Sequence, residues 1–275
     1  MKSKKFLLKV AVALCGSTAF ILMFNFLPLW VTAAMSTLIT ELIFYELSVN
    51  ARLVTALSLR VIGFAVSALI PWIIYFELEP FWLFFVIFAS AAAAFTTLAV
   101  SREAGKANEI INLLFCESVF QLSISLMVPI LRADYGVPFI LMAFISAWGT
   151  DAFAQIGGKC FGKTKCFSSI SPNKTLEGSL SGIVGNAAVI TVFALILGHI
   201  YPEISAGSKA AIIACGTFCG IAGEAGDLFF SYIKRTVGIK DFGRFIAGHG
   251  GALDRFDSVV FVLPVWYAVI TAMKL

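Results

Sequence analysis

Charged residues are scarce in this sequence. Asp, Glu, Lys and Arg make up 13% of its 275 residues, whereas soluble globular domains carry roughly 25%. Hydrophobic residues make up 60%, and the mean hydropathy is +0.95. This composition excludes a soluble globular protein and is typical of a chain that crosses a membrane several times. A charged group in such a chain lies at a membrane edge or serves chemistry.

The sequence also lacks internal repeats, low-complexity tracts and polar segments long enough for a soluble domain. Apolar stretches of about 20 residues, the length that spans a bilayer, occur about nine times. The predicted spans are residues 7–26, 28–48, 58–76, 80–100, 109–131, 136–156, 179–200, 208–230 and 257–274. We therefore predict an all-α, polytopic integral membrane protein with about nine transmembrane helices.

Basic residues are nearly absent from alternate loops. When the N-terminal residues 2–5 (KSKK) are placed in the cytoplasm, all Lys and Arg residues fall on that side except Arg132, Lys209 and Lys274. This bias predicts a cytoplasmic N-terminus and a location in the inner (plasma) membrane of the cell. The net charge of +4 suits anionic lipid headgroups or nucleotide phosphates, and no nucleic-acid partner is predicted.

The six cysteines do not indicate a disulfide framework. Most lie in predicted spans, where Cys packs as a small hydrophobe. Cys215 and Cys219 are one helical turn apart but lack a supporting His or carboxylate, so packing is favoured over a metal site. Cys160 and Cys166 lie in a predicted cytoplasmic loop, where the reducing environment disfavours a disulfide.

Polar signals are concentrated in the second half of the chain. Residues 1–147 form the predicted N-terminal transmembrane region, and residues 148–275 form the predicted catalytic region with its site at the cytoplasmic face. The first region contains three isolated intramembrane acids, to which no role is assigned: Glu41, Glu46 and Glu117. An intramembrane carboxylate either serves function or is satisfied by a neighbouring polar group.

The first polar cluster runs from Gly149 to Gly182 and combines glycines with lysines. This combination suits phosphate binding, because glycines permit close approach and lysines supply charge. Asp151 lies near the cytoplasmic end of a predicted span. In the segment SPNKTLEG (171–178), Ser171 is predicted to cap a helix that begins at Pro172. A flexible loop with retained positive charge is the alternative interpretation.

The second cluster is GEAGDL (223–228). Glu224 and Asp227 are three residues apart, so we expect their side chains on one helix face. Two acids on an apolar helix with small neighbours indicate a cation site, and a satisfied contact between helices is the alternative.

The third cluster spans residues 231–257 and holds the densest run of ionisable groups in the chain. Asp254 and Asp257 are expected on one helix face. Gly250 and Gly251 can present successive N–H groups to an anion. Carboxylates from two helices together with basic residues are typical of Mg²⁺-dependent phosphoryl or nucleotidyl transfer.

This third cluster resembles the signature of the phosphatidate cytidylyltransferase (CDP-diacylglycerol synthase) family. The matching positions are Ser231, Ile233, Lys234, Arg235, Lys240, Asp241, Gly243, Ile246, His249, Gly250, Gly251, Asp254, Arg255, Phe256 and Asp257. The segments SPNKTLEG and GDL also look like those of the family. The chain departs from the family pattern at Ala152, Gln155, Ala247 and Ala252. None of these departures removes a charged group.

The resemblance implies transfer of CMP from CTP to phosphatidic acid, with release of pyrophosphate and formation of CDP-diacylglycerol. It implies that Asp227 and Asp254 hold Mg²⁺, and it leaves room for a second cation. The basic residues implied to contact phosphate are Lys174, Lys234, Arg235, Lys240 and Arg255. Further substrate-binding or metal-supporting positions are Asp151, Ser171, Glu177, Asp241, Gly250, Gly251 and Asp257. His249 is implied to orient its turn or to contact phosphate.

Two other functions remain open from the sequence. One is a different CTP-dependent lipid enzyme, such as a polyprenol kinase or a CDP-archaeol type synthase. The other is a cation or phosphate transporter, although paired halves are typical of transporters and the polar residues here are confined to one half. Small residues on helix faces and the family resemblance also predict a homodimer.

Overall fold

The computed structural model describes residues 24, 26–101, 104–166, 170–243 and 250–273, and helices dominate these ranges. The described ranges hold eight helices of 17 residues or more: α1 (Leu29–Tyr45), α2 (Leu57–Tyr75), α3 (Pro80–Val100), α4 (Asn108–Arg132), α5 (Gly136–Phe161), α6 (Leu176–Ile200), α7 (Ala206–Thr236) and α8 (Leu253–Met273). The described ranges contain no strand. The prediction of an all-α protein is confirmed.

The seven helices α2 to α8 are each long and apolar enough to cross a membrane. Each overlaps one of the predicted spans. Helix α1 overlaps the predicted span 28–48 and has 17 residues, and a π-helical segment, Glu46–Asn50, continues it. The predicted span 7–26 lies almost entirely outside the described residues. A total of nine spans and the cytoplasmic N-terminus therefore stay predictions.

Helices α5 to α8 pack into a bundle that brings the sequence clusters together. Helix α5 packs most extensively against α6, α7 packs against both α6 and α8, and α5 also contacts α7 and α8. Gly182 of α6 meets Thr150 of α5, and Gly178 meets Ala154, so the two helices are antiparallel. The C-terminal ends of α5 and α7 therefore lie with the N-terminal ends of α6 and α8. We call this the polar end of the bundle. Helix α4 joins the bundle to the earlier helices through contacts with α5 and α8.

The character of the sequence changes near residue 148, and this position lies inside α5. The predicted N-terminal and catalytic regions thus share one continuous helix. The homodimer and the division of the chain into two regions stay predictions.

Small residues let α5 and α6 approach closely. A Cβ atom added to Gly182 would lie 2.8 Å from the Thr150 carbonyl oxygen, and one added to Gly178 would lie 2.9 Å from the Ala154 carbonyl oxygen. Contacts this short leave no space for a methyl group. Close backbone approach is the way that helices associate inside a membrane, where apolar burial does not favour one partner over lipid.

We predict that Gly182→Ala destabilises the protein by about 1–3 kcal/mol, because the methyl group must push against backbone atoms of α5. Thermal unfolding in detergent measures the effect as a lower Tm. Gly149→Ala is the matched control, since the nearest atom to its added Cβ is 3.9 Å away. Equal Tm values for the two variants would contradict the tight α5–α6 contact.

Helix α6 begins later than the sequence predicted. Its cap is Thr175, whose hydroxyl accepts a hydrogen bond from the Gly178 N–H at 3.2 Å, and Leu176 is the first helical residue. The start predicted at Pro172 was wrong. The residues before Thr175 instead form a turn, in which the Lys174 N–H donates to the Ser171 carbonyl oxygen at 3.1 Å. This turn directs the Lys174 side chain toward α7.

Candidate active site

A cavity of about 610 Å³ lies at the polar end, between α5, the α5–α6 connection, α6 and α7. Its wall includes the carboxylates of Asp151, Glu224 and Asp227, the Lys174 ammonium and Ser171. At 1.5 Å per residue, Asp151 and Asp227 lie about 15 Å from the C-terminal ends of their helices. The cavity therefore lies between the helices and not on the outer surface of the bundle.

Lys174 is the centre of the charged groups in this cavity. Its ammonium nitrogen lies 2.7 Å from Glu224 Oε2 and 2.8 Å from Asp227 Oδ2. Burial by itself lowers the pKa of Lys174, but the two carboxylates outweigh burial and raise the pKa above its ordinary value. Lys174 is thus held as a cation. The contacts also confirm that Glu224 and Asp227 share one face of α7.

Glu224 is buried, and only one of its two carboxylate oxygens has a hydrogen-bond partner. Its Oε2 atom accepts hydrogen bonds from Lys174 and from the Ser179 hydroxyl, the latter at 2.9 Å. Its Oε1 atom is buried and has no hydrogen-bond partner. A buried carboxylate oxygen without a partner is costly unless another group completes it. This atom is the strongest indication that the cavity receives a cation or a donor.

Asp151 and Asp257 extend the acidic groups from the cavity toward α8. The Ser258 hydroxyl donates to Asp151 Oδ2 at 3.3 Å, and the Ser258 N–H donates to Asp257 Oδ1 at 2.8 Å. Asp257 is buried and lies close enough to both Asp227 and Asp254 to interact with their charges. A continuous set of carboxylates therefore connects α5, α7 and α8.

The Asp254 carboxylate makes more of the described polar contacts than the Asp227 carboxylate does. Its Oδ1 atom lies 3.1 Å from the Lys234 ammonium, and its Oδ2 atom accepts from the N–H groups of Phe242 and Gly251 at 3.0 and 2.9 Å. Gly250, with φ of +83°, makes the turn that allows this arrangement. Asp227 lines the cavity, whereas Asp254 holds the segment that precedes α8.

The remaining predicted residues have different surroundings. The Glu177 carboxylate accepts from the Lys163 N–H at 3.0 Å and from the N–H and hydroxyl of Thr164, so it fastens the α5–α6 connection. The Arg235 side chain donates to the Ile170 carbonyl oxygen at 3.2 Å.

A second cavity, of about 480 Å³, is lined by Asn50 and residues 239–243, which include Lys240 and Asp241. Arg255 lies on the first turn of α8 and is exposed, and its carbonyl oxygen accepts from the Trp148 indole N–H at 3.1 Å. His249 lies outside the described residues.

Two contributors to this end of the molecule were not among the predicted site residues: Ser179, which had no sequence signal, and Glu46, which was noted only as an intramembrane acid without a role. Ser179 occupies an ordinary position in an apolar helix, where a serine usually bonds to its own backbone. Glu46 is distant in sequence from every cluster, and it accepts from the Ala252 and Leu253 N–H groups at the start of α8. Glu224 did carry a signal, its spacing from Asp227, although it was not included among the predicted site residues.

The residues present fit a Mg²⁺ ion that is completed by substrate. Among the residues whose side chains the structure describes, no three His, Cys, Asp or Glu groups are arranged to hold a metal by themselves. Mg²⁺ is usually held by one or two carboxylates together with phosphate oxygens and water. Asp227 and the unpartnered Oε1 atom of Glu224 meet that requirement.

The sequence model of a known family matches nearly the whole chain. The sequence model of the cytidylyltransferase family matches residues 8–273. The chain belongs to this family. The resemblance predicted from the motif of residues 231–257 is thereby confirmed, and the seven apolar helices make this cytidylyltransferase-family chain a multi-pass membrane protein.

Curated relatives of this cytidylyltransferase-family chain include three bacterial proteins, each named phosphatidate cytidylyltransferase. Identity is 40% over 134 residues for the Bacillus subtilis protein, 42% over 137 residues for the Aquifex aeolicus protein and 34% over 151 residues for the Rickettsia prowazekii protein. These matches cover 49%, 50% and 55% of the chain. They span 48%, 49% and 66% of the respective relatives, so the chain matches about half to two thirds of their length.

Proposed function

We propose that the protein is a Mg²⁺-dependent phosphatidate cytidylyltransferase. It transfers CMP from CTP to phosphatidic acid and releases pyrophosphate, so that CDP-diacylglycerol is formed. The observation that carries this proposal is the convergence of Asp151, Glu224, Asp227 and Lys174 in one cavity at the end of membrane-spanning helices. The family membership and the names of the curated relatives support it.

The reaction joins two polyanions, and their mutual repulsion is the main barrier to binding them together. A phosphate oxygen of phosphatidic acid attacks the α-phosphorus of CTP, and the bond from that phosphorus to the pyrophosphate oxygen breaks. The nucleophile is already an anion, so no strong general base is required. Fixed cations at the cavity stabilise the charge that develops in the transition state.

Each part of the reaction has residues suited to it. Asp227 and Glu224 would hold Mg²⁺, which neutralises phosphate charge and aligns the attacking and leaving oxygens when it is bound. The role of Asp254 as the second metal ligand stays a prediction. Lys174, a cation in the cavity wall, would contact a phosphate oxygen. Lys234 lies beside Asp254 and the ring of Phe242, with its ammonium 5.5 Å from the ring centroid, and would contact the second anion.

The lipid substrate explains why the site is built between membrane helices. Phosphatidic acid keeps its acyl chains in the bilayer, and its phosphate lies at the level of the headgroups. We propose that the polar end faces the cytoplasm, where CTP is found, in the inner membrane of the cell. This orientation rests on the distribution of Lys and Arg along the sequence.

The proposal is tested with purified protein, phosphatidic acid, Mg²⁺ and CTP labelled at either the α- or the γ-phosphate. We expect the α-label in the lipid product, the γ-label in pyrophosphate, and loss of both products when EDTA removes the metal. Restoration by added Mg²⁺ is the control for damage by EDTA. Transfer of the γ-label to lipid with release of CDP would identify a kinase and refute the proposal.

A further inference from the structure

Glu46 connects the N-terminal half of the chain to the segment that carries Asp254. It lies in the π-helical segment that follows α1, and it is 3% exposed. Its Oε1 atom accepts from the Ala252 N–H at 2.8 Å, and its Oε2 atom accepts from the Leu253 N–H at 2.8 Å. Both carboxylate oxygens are therefore bonded to the backbone that immediately precedes Asp254.

The N–H groups that Glu46 binds belong to the beginning of α8, where a helix leaves donors without partners. A carboxylate is favoured there by both the hydrogen bonds and the helix dipole. The N–H of the preceding residue, Gly251, donates to Asp254. Glu46 and Asp254 thus divide three successive backbone donors between them, so the position of one carboxylate constrains that of the other.

The surrounding backbone is fitted to the Glu46 carboxylate. A Cβ atom on either Gly243 or Gly251 would overlap the Glu46 carboxylate. The Asn50 side chain, one turn after Glu46, donates to the Phe242 carbonyl oxygen at 2.8 Å. Phe242 in turn donates its N–H to Asp254. Residues 46–50 therefore hold both pieces of backbone that bond to Asp254.

We propose that Glu46 is a positioning residue for the reaction, acting through Asp254. It does not line the 610 Å³ cavity, and its role is to fix the backbone from which the Asp254 carboxylate projects. This inference assigns a role in the active site to the half of the chain that lacks a catalytic motif. Its catalytic part rests on the proposed function, whereas its structural part does not.

The first test is hydrogen exchange of the wild type and of Glu46→Gln in detergent. The amide side chain of Gln keeps the length but replaces one acceptor with a donor, so exchange at Ala252 and Leu253 should accelerate by about 10-fold or more. Glu41→Gln is the matched control, because Glu41 lies on α1 and its described hydrogen bond is to the Ser67 hydroxyl, at 2.8 Å, and not to the backbone before Asp254. Unchanged exchange at residues 250–257 in Glu46→Gln would overturn the proposal.

The second test is a double-mutant cycle on CMP transfer with Glu46→Gln and Asp254→Asn. If Glu46 acts through Asp254, Glu46→Gln lowers kcat by about 10-fold or more in the wild type and much less when Asp254 is already replaced. Equal losses in both backgrounds would overturn the catalytic part. If the wild type transfers no CMP, the proposed function fails, and hydrogen exchange still decides whether Glu46 holds the segment.

Gly243→Ala provides a second variant in case Glu46→Gln does not fold. It retains Glu46 but adds a methyl group that would overlap Glu46 Oε1, so the carboxylate must move. We expect faster exchange at residues 250–257 and a loss of kcat in the same direction. A Gly243→Ala protein with wild-type exchange and wild-type kcat would contradict the close fit around Glu46.

Discussion

Asp227→Asn is expected to reduce CMP transfer on the order of 1,000-fold. Asn keeps the shape of the side chain but removes the negative charge that faces the cavity, and with it a ligand for Mg²⁺. Lys174 keeps Glu224 as its partner, at 2.7 Å, so we expect the fold to survive. The measurement is kcat for CMP transfer with saturating CTP and phosphatidic acid, together with Tm in detergent.

Asp134→Asn is the control for this variant, since Asp134 is exposed in the α4–α5 connection, at the end of α5 opposite the polar end. It should transfer CMP at the wild-type rate. A raised Mg²⁺ requirement in Asp227→Asn would support a direct role in holding the metal. Wild-type kcat in Asp227→Asn at low Mg²⁺ would refute the assignment of Asp227.

Lys174→Met is expected both to abolish CMP transfer and to destabilise the protein by about 3–5 kcal/mol. The side chains of Lys174 and Glu224 are 11% and 7% exposed, so removal of the ammonium leaves buried negative charge without a partner. A lower Tm and the loss of labelled lipid product measure the two effects. Neither effect would follow if Lys174 belonged to a flexible loop.

The variant Lys174→Met/Glu224→Gln separates these two effects. Replacing Glu224 removes the charge that Lys174 neutralised, so Tm should recover in part. CMP transfer should not recover, because the phosphate-binding cation and the carboxylate are both missing. Recovery of activity with stability would show that Lys174 serves the fold alone.

The motif of residues 231–257 was sufficient to predict the family, and the spacing of Glu224 and Asp227 was sufficient to place them on one helix face. Both inferences depend on neighbours in the sequence, where helical geometry fixes the relation between side chains. The apolar stretches likewise predicted the helices, because backbone groups in a bilayer must bond within their own segment.

The relation between Asp227 and Asp254 shows where the sequence was insufficient. They were predicted as one metal pair, which stays a prediction. The structure gives them different surroundings, one in the cavity and one bonded to Lys234 and two backbone N–H groups. Asp257 lies near both charges. Nothing in the local sequence distinguishes a carboxylate that faces a cavity from one that binds backbone.

The sequence by itself determined the membrane-spanning helical class and the family, and it predicted the part of the chain that carries the site. These properties follow from hydropathy, helical spacing and a long motif, which depend only on residues that are close together in the sequence. Only the tertiary structure decided that Lys174 pairs with Glu224 and Asp227, and that Glu46 holds the backbone beside Asp254. These partners come from different helices, and the packing of the helices determines which side chains meet.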